Sequence, residues 1–294
     1  MPELPEVETI RRHLAPHVEG RVLTDLEVRD PRWCRPLAAD EVAAAVRGRR
    51  VETLGRRGKY LIWELEDDVH LMLHLRMTGT LLLDPPAPPR HARVRFALDD
   101  GRELIFDDPR RFGTGELALG GDARDAFFAT RLGVEPFGPE FTSAHLYALT
   151  RVSRAPIKAF LLDQRKVAGV GNIYADEALF RARIHPLRAA ARLSRKQVAA
   201  LRDAVVASLE QGLEAKGASI DDFRDPDGVQ GSFQDRFLIH LREGEPCLLC
   251  GRAVRKLRAA GRGTYACEGC QPRPRYAAAL SSARRPARSA AASS

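Results

Sequence analysis

Cys247-Leu-Leu-Cys250 and Cys267-Glu-Gly-Cys270 form two Cys-x-x-Cys pairs, separated by residues 251–266. Two such pairs in one short segment bring four thiolates to positions from which they can bind a single zinc ion tetrahedrally. A redox-active dithiol or unpaired thiols are the alternatives, and the doubled pair favours zinc. Because the protein supplies all four ligands, we predict one closed, structural zinc site.

The segment between the two pairs is strongly basic and contains no acidic residue before Glu268. A rigid ribbon that carries so many cations is typical of a surface that contacts phosphates, and a merely solvated basic loop is the alternative. Its cations are Arg252, Arg255, Lys256, Arg258 and Arg262.

The whole chain is basic as well, with a net charge of +8 and a pI of about 9.6 over 294 residues. This charge favours a polyanionic partner, with nucleic acid ahead of an anionic membrane surface. The length allows two domains and a small module. The chain lacks a signal-peptide core and any run near the ~20 apolar residues of a membrane span, so we expect a soluble, intracellular protein. Cys34 is expected to be a reduced, partly buried residue.

The region that precedes the cysteines has a helical pattern after a linker at residues 136–139. Turn-rich residues 217–233 predict a mobile loop, and the acid-free residues after Tyr276 predict a disordered basic tail. The predicted helices are Ser143–Arg151, Pro156–Gln164, Ile173–Ala182 and Ser194–Glu214, the last capped by Ser194.

Gly169-Val-Gly-Asn172-Ile173 links two of these helices. Its glycines allow the backbone to approach a ligand closely, and Asn172 is predicted to cap the helix that follows. Free amides at a helix N-terminus suit a phosphate, and a purely structural turn is the alternative.

The first half of the chain has a strand-like pattern from Val22 to about Leu119, which suggests a β-sandwich or a barrel. A helix over Pro5–Val18 precedes it, and a short helix over Asp40–Arg47 with an Asp cap interrupts it. The clearest predicted strands are Val22–Val28, Tyr60–Leu65, His70–Leu75, Val94–Leu98 and Leu104–Phe106.

Three turns of this half carry cations or exposed apolar side chains. Arg56-Arg57-Gly58-Lys59 places cations at a strand entrance, while Met77 and the segment Asp108-Pro-Arg110-Arg111-Phe112-Gly lie in other turns. Singly, Met77 and Phe112 are typical core residues. Together with Arg110 they form a set that can wedge into a duplex and fill the gap left by an extruded base.

The N-terminal residues Met1-Pro2-Glu3 suggest covalent chemistry. If Met1 is removed, Pro2 is a secondary amine, and α-amino groups titrate near ~8. Attack of this amine on a sugar C1′ gives an iminium, and Glu3 lies beside it to move protons. An ordinary solvated terminus is the alternative.

These motifs together resemble the formamidopyrimidine-DNA glycosylase family. The resemblance runs in order from residue 1 to about residue 272 and leaves out only the basic tail. It is carried by residues 1–9, Arg57-Gly-Lys59-Tyr, His74-Leu-x-Met77-x-Gly, Asp108–Gly113, the Gly169–Tyr174 turn continuing to Ile184-His-Pro, and the four cysteines.

The resemblance implies an α+β multidomain fold. Its parts are an N-terminal catalytic β-sandwich domain flanked by helices (1–133), a linker with the start of the helical domain (134–150), a helix–two-turn–helix DNA-binding domain (151–233), a four-Cys zinc finger (234–272) and a disordered basic tail (273–294). Residues 217–233 would form the lesion-recognition loop. The implied protein is a bacterial-type, cytoplasmic monomer that binds damaged double-stranded DNA and one structural Zn²⁺.

The implied activity is removal of 8-oxoguanine and formamidopyrimidines, followed by β- and δ-elimination at the abasic site. Pro2 would be the Schiff-base nucleophile, Glu3 the proton donor and acceptor, and Glu6 its support. Lys59 would serve β-elimination and Arg262 δ-elimination. Met77, Arg110 and Phe112 match the wedge. The DNA contacts would be His91, Arg110, Arg111, Arg154, Lys158 and Asn172.

Three positions depart from some relatives: Asp221, Ser232 and Ser153, the last of which leaves Arg154 as the nearby cation. An endonuclease VIII-like glycosylase for oxidised pyrimidines is the enzymatic alternative, although residues 4–7 and 108–113 favour the purine branch. A non-catalytic, zinc-containing DNA-binding protein is the alternative of another class.

Overall fold

The structure is a computed structural model that describes residues 1–219 and 226–275. Its helices are α1 (Leu4–Val18), α2 (Ala39–Val46), α3 (Gly121–Ala129), α4 (Ser143–Arg151), α5 (Ile157–Leu162), α6 (Asn172–Arg181) and α7 (Arg195–Glu214). Its strands are β1 (Leu23–Val28), β2 (Val51–Arg57), β3 (Tyr60–Leu65), β4 (Val69–His74), β5 (Thr80–Leu83), β6 (Ala92–Leu98), β7 (Glu103–Asp107), β8 (Thr114–Leu119), β9 (Arg255–Ala259) and β10 (Arg262–Ala266).

Two four-stranded antiparallel sheets form a sandwich, with strand orders β1-β6-β7-β5 and β2-β3-β4-β8. The alternating pattern of strands such as β6, in which Val94, Phe96 and Leu98 are buried, supplies the core between the sheets. Trp63 stacks on Phe96 at 5.1 Å between ring centroids in this core. The predicted β-sandwich is therefore confirmed.

Helix α1 packs its Val7, Ile10 and Leu14 against the sandwich, as its three-to-four-residue spacing predicts. Leu4, at the start of the same helix, instead belongs to the core of the helical region. The prediction of an Asp cap on the second helix is wrong, because Ala38 is the N-cap residue of α2 and Asp40 lies in its first turn.

Helices α4 to α7 surround a second apolar core, to which Val198, Leu201, Val205 and Leu209 of α7 contribute. Ser194 accepts the Gln197 amide and caps α7, as predicted. The loop after α7 is closed at its base, where the Ser232 amide donates to the Ala215 carbonyl at 2.9 Å. Asp221 and the tail beyond Arg275 lie outside the described residues.

The cysteine-containing module consists of two knuckles and the β9–β10 hairpin, whose turn residues Ala260 and Gly261 both have positive φ. It packs on α6 through Phe180, which joins Ile239 and Tyr265 in a third apolar cluster. Among the described residues no helix combines the length and apolar character that a membrane span requires.

Candidate active site

Glu3 is buried at the N-terminus of α6, in spite of its charge. Its carboxylate accepts the backbone amides of Ile173 at 3.0 Å and Tyr174 at 3.5 Å. A Cβ added at Gly171 would lie 2.2 Å from the Glu3 Cδ, so the turn needs glycine in order to approach this carboxylate. Glu3 and Ile173, which are 170 residues apart in the sequence, therefore belong to one site.

This arrangement corrects the prediction for the glycine turn. Gly171 is the N-cap residue of α6, and Asn172 is the first residue of the helix, so Asn172 does not cap it. The first-turn amides of Ile173 and Tyr174 bind a protein carboxylate in place of the expected phosphate. Asn172 is half-buried, and its Oδ1 is buried without a hydrogen-bond partner.

Glu6 lies one turn further along α1 and connects three parts of the chain. Its carboxylate accepts the Glu3 amide, the Tyr174 hydroxyl and the Ala218 amide, each at 2.8 Å. Burial, together with the nearby charge of Glu3, raises the pKa of Glu6 above its usual value. Glu6 thus links the N-terminus to the start of the 217–233 loop.

Pro2 is itself buried, and Met1 is half-buried before it. The adjoining chain is fixed because the Leu4 amide donates to the Gly169 carbonyl at 3.1 Å. Gly169 has a φ of +82°, and a Cβ there would lie 2.6 Å from the Leu4 side chain. Both glycines of the turn therefore serve to admit the N-terminal segment.

Lys59 lies in the β2–β3 turn and is only 4% exposed. Burial lowers the pKa of its ammonium, an effect that the negative charge of Glu3 opposes and the positive charge of Arg262 reinforces. Electrostatic effects of this kind require proximity. The charges that act on Lys59 thus come from Glu3 of the N-terminal segment and from the exposed Arg262 at the start of β10, although Lys59 and Arg262 belong to different domains of the chain.

His74 is a residue of this site that the sequence analysis did not identify. Its Nδ1 accepts the Arg76 amide at 3.0 Å, and its ring packs edge-on against Tyr60. Burial, with the charges of Arg76 and Lys59, lowers the pKa of His74 to about 3, so the neutral ring carries its proton on Nε2. His74 and Lys59 line one cleft of about 390 Å³ together with Arg76, Arg131 and Arg165. These cations come from separate segments of the chain, so the sequence alone did not show that they cluster.

The two turns with the predicted wedge residues are held together by Asp108. Its carboxylate accepts the Thr78 hydroxyl at 2.5 Å and the amides of Phe112 and Gly113, each at 2.8 Å. The buried Phe106 ring lies beneath both turns, because a Cβ at Gly79 or at Gly113 would meet it at 2.7 or 2.3 Å.

The side chains that these turns present are exposed. Met77 is 37% and Phe112 51% exposed, and the Arg110 guanidinium lies 4.8 Å from the centre of the Phe112 ring. Arg111 is exposed with a positive φ of 60° and lies 3.6 Å from Asp30. A loop that carries an exposed aromatic residue and an exposed cation is available for an external ligand.

The other predicted contacts differ in exposure. His91 is half-buried beside Arg93, and Arg154 is exposed before α5. Lys158, in contrast, is completely buried and forms an ion pair with Asp176 at 2.7 Å. The Lys158 ammonium thus faces protein acceptors in this structure, and its contact with the DNA backbone stays a prediction.

The four cysteines predicted to bind zinc meet at one point. Their Sγ atoms all lie within 4.8 Å of one another, with Cys247 to Cys270 at 3.8 Å and Cys250 to Cys267 at 3.4 Å. Tetrahedral zinc with bonds of about 2.3 Å places sulfur atoms about 3.8 Å apart. The donor set therefore fits a structural zinc ion with no open coordination position.

The sandwich, the helical core and the zinc module, with a buried acid at the junction and cations around it, define a multidomain zinc protein built to hold a polyanion. Models of three domains match the chain: the formamidopyrimidine-DNA glycosylase N-terminal domain at residues 1–115, its H2TH domain at 132–224, and the zinc finger found in FPG and IleRS at 244–273. The chain belongs to the formamidopyrimidine-DNA glycosylase family.

Individual relatives agree with this assignment. The formamidopyrimidine-DNA glycosylase of Chloroflexus aurantiacus is 44% identical over 276 residues, which cover 92% of this chain and 98% of the relative. The crystal structure of MutM (Fpg) from Thermus thermophilus has a TM-score of 0.84 at 44% identity, covering 92% of this chain and 98% of the other. The Lactococcus lactis Fpg in complex with abasic-site DNA has a TM-score of 0.86 at 34% identity, covering 92% and 100%.

Proposed function

We propose that this protein is a base-excision DNA glycosylase that removes oxidised purines and then cleaves the abasic site as a lyase. One observation carries the proposal: the amides of α6 fix the carboxylate of Glu3, next to Pro2, and its charge acts on the buried ammonium of Lys59 together with the charge of Arg262. This is a nucleophile candidate beside a carboxylate and two cations, as elimination chemistry on a phosphorylated sugar requires.

The first step forms a bond between the Pro2 nitrogen, freed by removal of Met1, and C1′ of the damaged nucleotide. The C1′–base bond breaks, and the base departs with the bonding electrons and takes a proton from water. The proton lost by the amine passes to Glu3, which delivers it to O4′ as the sugar ring opens. The product is an iminium between Pro2 and C1′.

The iminium makes the C2′ proton acidic, as an electron sink does. We assign its removal to Lys59, whose buried amine has a lowered pKa and so exists more readily as a neutral base. Loss of this proton breaks the C3′–O3′ bond. The C4′ proton then passes to water, and the C5′–O5′ bond breaks with its electrons on O5′, with Arg262 beside the departing phosphate. Water finally hydrolyses the iminium and frees Pro2.

Met77, Arg110 and Phe112 are proposed to fill the space that the extruded base leaves. Extrusion costs a few kcal/mol, which contacts in the gap and on the phosphates offset. We assign backbone contacts to His91, Arg110, Arg111, Arg154 and Asn172, and add the neutral His74, whose Nε2–H is a suitable donor to a phosphate oxygen.

Damaged duplex DNA is the partner in this proposal, and the working unit is a monomer in the bacterial cytoplasm. Residues 1–133 form the catalytic domain, 151–233 the DNA-binding helical domain and 234–272 the zinc finger. A preference for oxidised pyrimidines is not favoured, since the relatives are named formamidopyrimidine-DNA glycosylases. The solved Lactococcus lactis Fpg complexes include both Fapy-dG DNA and oxidised-pyrimidine DNA, so they do not separate the two substrates.

Borohydride reduction tests the proposal, because hydride addition to the iminium leaves a stable Pro2–sugar bond. With 8-oxoguanine duplex we expect one covalent adduct per chain, whose mass places the link on the N-terminal peptide without Met1. Pro2→Gly and Glu3→Gln should both lose base release and keep the melting temperature of the unmodified protein.

Arg47→Ala is a suitable control, because Arg47 is exposed and ion-paired with Asp25 on the sandwich surface. It should form the adduct normally. Absence of any adduct with protein that lacks Met1, or full base release by Pro2→Gly and Glu3→Gln, would reject the glycosylase and leave a zinc protein that only binds DNA.

A further inference from the structure

Lys158 is a buried cation with no part in the chemistry described above. Its ammonium pairs with Asp176 at 2.7 Å and donates to the Thr264 hydroxyl at 2.9 Å and the Gly263 carbonyl at 3.2 Å. Lys158, Asp176 and Thr264 are all 0% exposed. A buried ammonium is tolerated only when it is paired and hydrogen-bonded, and here one ion pair and two hydrogen bonds, on two elements, compensate its charge.

The acceptors lie on elements that hold the active-site residues. Gly263 and Thr264 immediately follow Arg262 on β10, while Asp176 lies on α6, one turn beyond the Ile173 amide that binds Glu3. The ammonium of Lys158 is thus a bridge between the helix that fixes Glu3 and the strand that carries Arg262.

A second set of contacts fixes the same module to the same helix. The carboxylate of Glu177 accepts the amides of Leu238, Ile239 and His240 at 3.0–3.1 Å, and the ring of His240 contacts Asp176 at 2.9 Å. These contacts hold the base of the zinc module. The contact of Lys158 with β10, in contrast, is made next to Arg262 itself.

We propose that Lys158 is a positioning residue that holds β10 against α6 and so keeps Arg262 at a fixed distance from Glu3. The inference rests on the proposed function, since it assigns the effect to the second elimination. Displacement of a catalytic group by about 1 Å can cost about 10²-fold in rate. Loss of the tether should therefore slow δ-elimination much more than base excision, because α6 holds Glu3 through its own backbone amides.

Thr264→Val keeps the shape of the side chain and removes the hydroxyl that accepts from Lys158, which also donates to the Arg262 carbonyl at 3.2 Å. A variant that leaves Thr264 in place is therefore needed to assign the effect to Lys158. The double variant Lys158→Met with Asp176→Asn removes the tether without leaving one charge buried and unpaired. Thr150→Val is the matched control: Thr150 is equally buried, but its hydroxyl donates to Tyr147 within α4. Arg262→Ala is the reference for loss of the cation itself.

The readout is the ratio of δ- to β-elimination products on a duplex with a preformed abasic site, for protein with one bound zinc. We expect Thr264→Val and the double variant to lower this ratio about tenfold or more, in the direction of Arg262→Ala. Thr150→Val should keep the ratio of the unmodified protein. A residue with only a packing role would lower the melting temperature without changing the ratio in the molecules that remain folded.

An unchanged ratio in zinc-loaded Thr264→Val and in the double variant would overturn the inference. So would a fall of about 0.9 in the log–log salt slope of DNA binding for the double variant alone, since that marks a direct phosphate contact. An unchanged ratio in Arg262→Ala, with borohydride adduct formation intact, would instead reject the role of Arg262 in the proposed function and this inference with it.

Discussion

At the scale of single residues, the approach of Gly171 to the Glu3 carboxylate leaves no room for a side chain in the turn. In Gly171→Ala the new Cβ would lie 2.2 Å from the Glu3 Cδ. The backbone of residue 171 cannot easily move away, because it is the N-cap of α6. We expect the carboxylate to move and base excision to fall by about 10²-fold, the cost of a displacement of about 1 Å. Single-turnover excision from an 8-oxoguanine duplex measures this.

Gly55→Ala is the matched control for that substitution. A Cβ at Gly55 meets its neighbours at 3.8 Å or more, an ordinary contact, so its excision rate should remain normal. Equal rates for Gly171→Ala and Gly55→Ala would show that the position of the Glu3 carboxylate does not limit the reaction.

His74 provides a test through pH. Its pKa is about 3 in the folded protein against 6.5 in its ordinary state, so the unfolded chain binds the proton first as the pH falls. The stability that neutral His74 contributes is complete above pH 6.5 and is lost progressively towards pH 3. The melting temperature of the unmodified protein relative to His74→Gln should therefore fall between about pH 7.5 and about pH 4.5. A constant difference across that range would contradict the lowered pKa of His74.

The roles of single residues could be predicted from the sequence in some cases and not in others. The four cysteines were identified because zinc ligands have a short, local spacing. The burial of Lys158 was not predictable, since lysine is normally exposed and its partners Asp176 and Thr264 are distant in sequence. The capping role of Asn172 was wrong for a similar reason: Glu3, from the other end of the chain, is the acceptor that the helix amides use.

At the scale of elements, Asp108 and Phe106 make the two wedge turns a single unit. Phe112→Ala removes a side chain that is half exposed and so should hardly change the melting temperature. Because extrusion of a base costs a few kcal/mol, we expect about a tenfold or greater loss of 8-oxoguanine excision. Cleavage of a preformed abasic site, where no base is extruded, should stay near normal.

Phe137→Ala serves as the control, since Phe137 is similarly exposed at 42% but lies in the linker after α3. It should leave both reactions unchanged. An equal loss of excision and abasic-site cleavage in Phe112→Ala would mean that the ring contributes general DNA affinity and no wedge.

The elements with strong local signals were predicted closely, and the others were not. Helix α4 matched its predicted limits because Thr142 and the apolar spacing define it locally, and β3 matched because it is apolar at every position except Glu64. Strand β5 and helix α3 had no such signal: β5 has only four residues, and α3 buries little besides Phe128. Their conformations depend on the surrounding fold.

At the scale of the whole molecule, the four cysteines that fit a zinc ion flank β9 and β10, the hairpin that carries Arg262. Removal of zinc by a chelator should lower the melting temperature and the ratio of δ- to β-elimination products, because the two cysteine knuckles beside β9 and β10 lose the metal ion that they share. Added Zn²⁺ should restore both. Metal analysis should find one zinc per chain.

Cys250→Ser and Cys34→Ser separate this effect from general thiol loss. Cys34 is buried in the sandwich core, away from the other four cysteines, so its variant should keep the zinc ion and the product ratio. Retention of zinc and normal products in Cys250→Ser would show that the fourth thiolate is dispensable.

Leu4 lies in the apolar core of the helical region, whereas Val7 and Ile10 of the same helix lie in that of the sandwich. The N-terminal residues therefore pack into the cores of both the sandwich and the helical region and join them. A fragment that contains only the sandwich domain would carry Pro2 but would lack the helical region against which Leu4 packs. When the sandwich fragment and the rest of the chain are made separately and mixed, strand cutting should return only if Leu4 packs again into the core of the helical region.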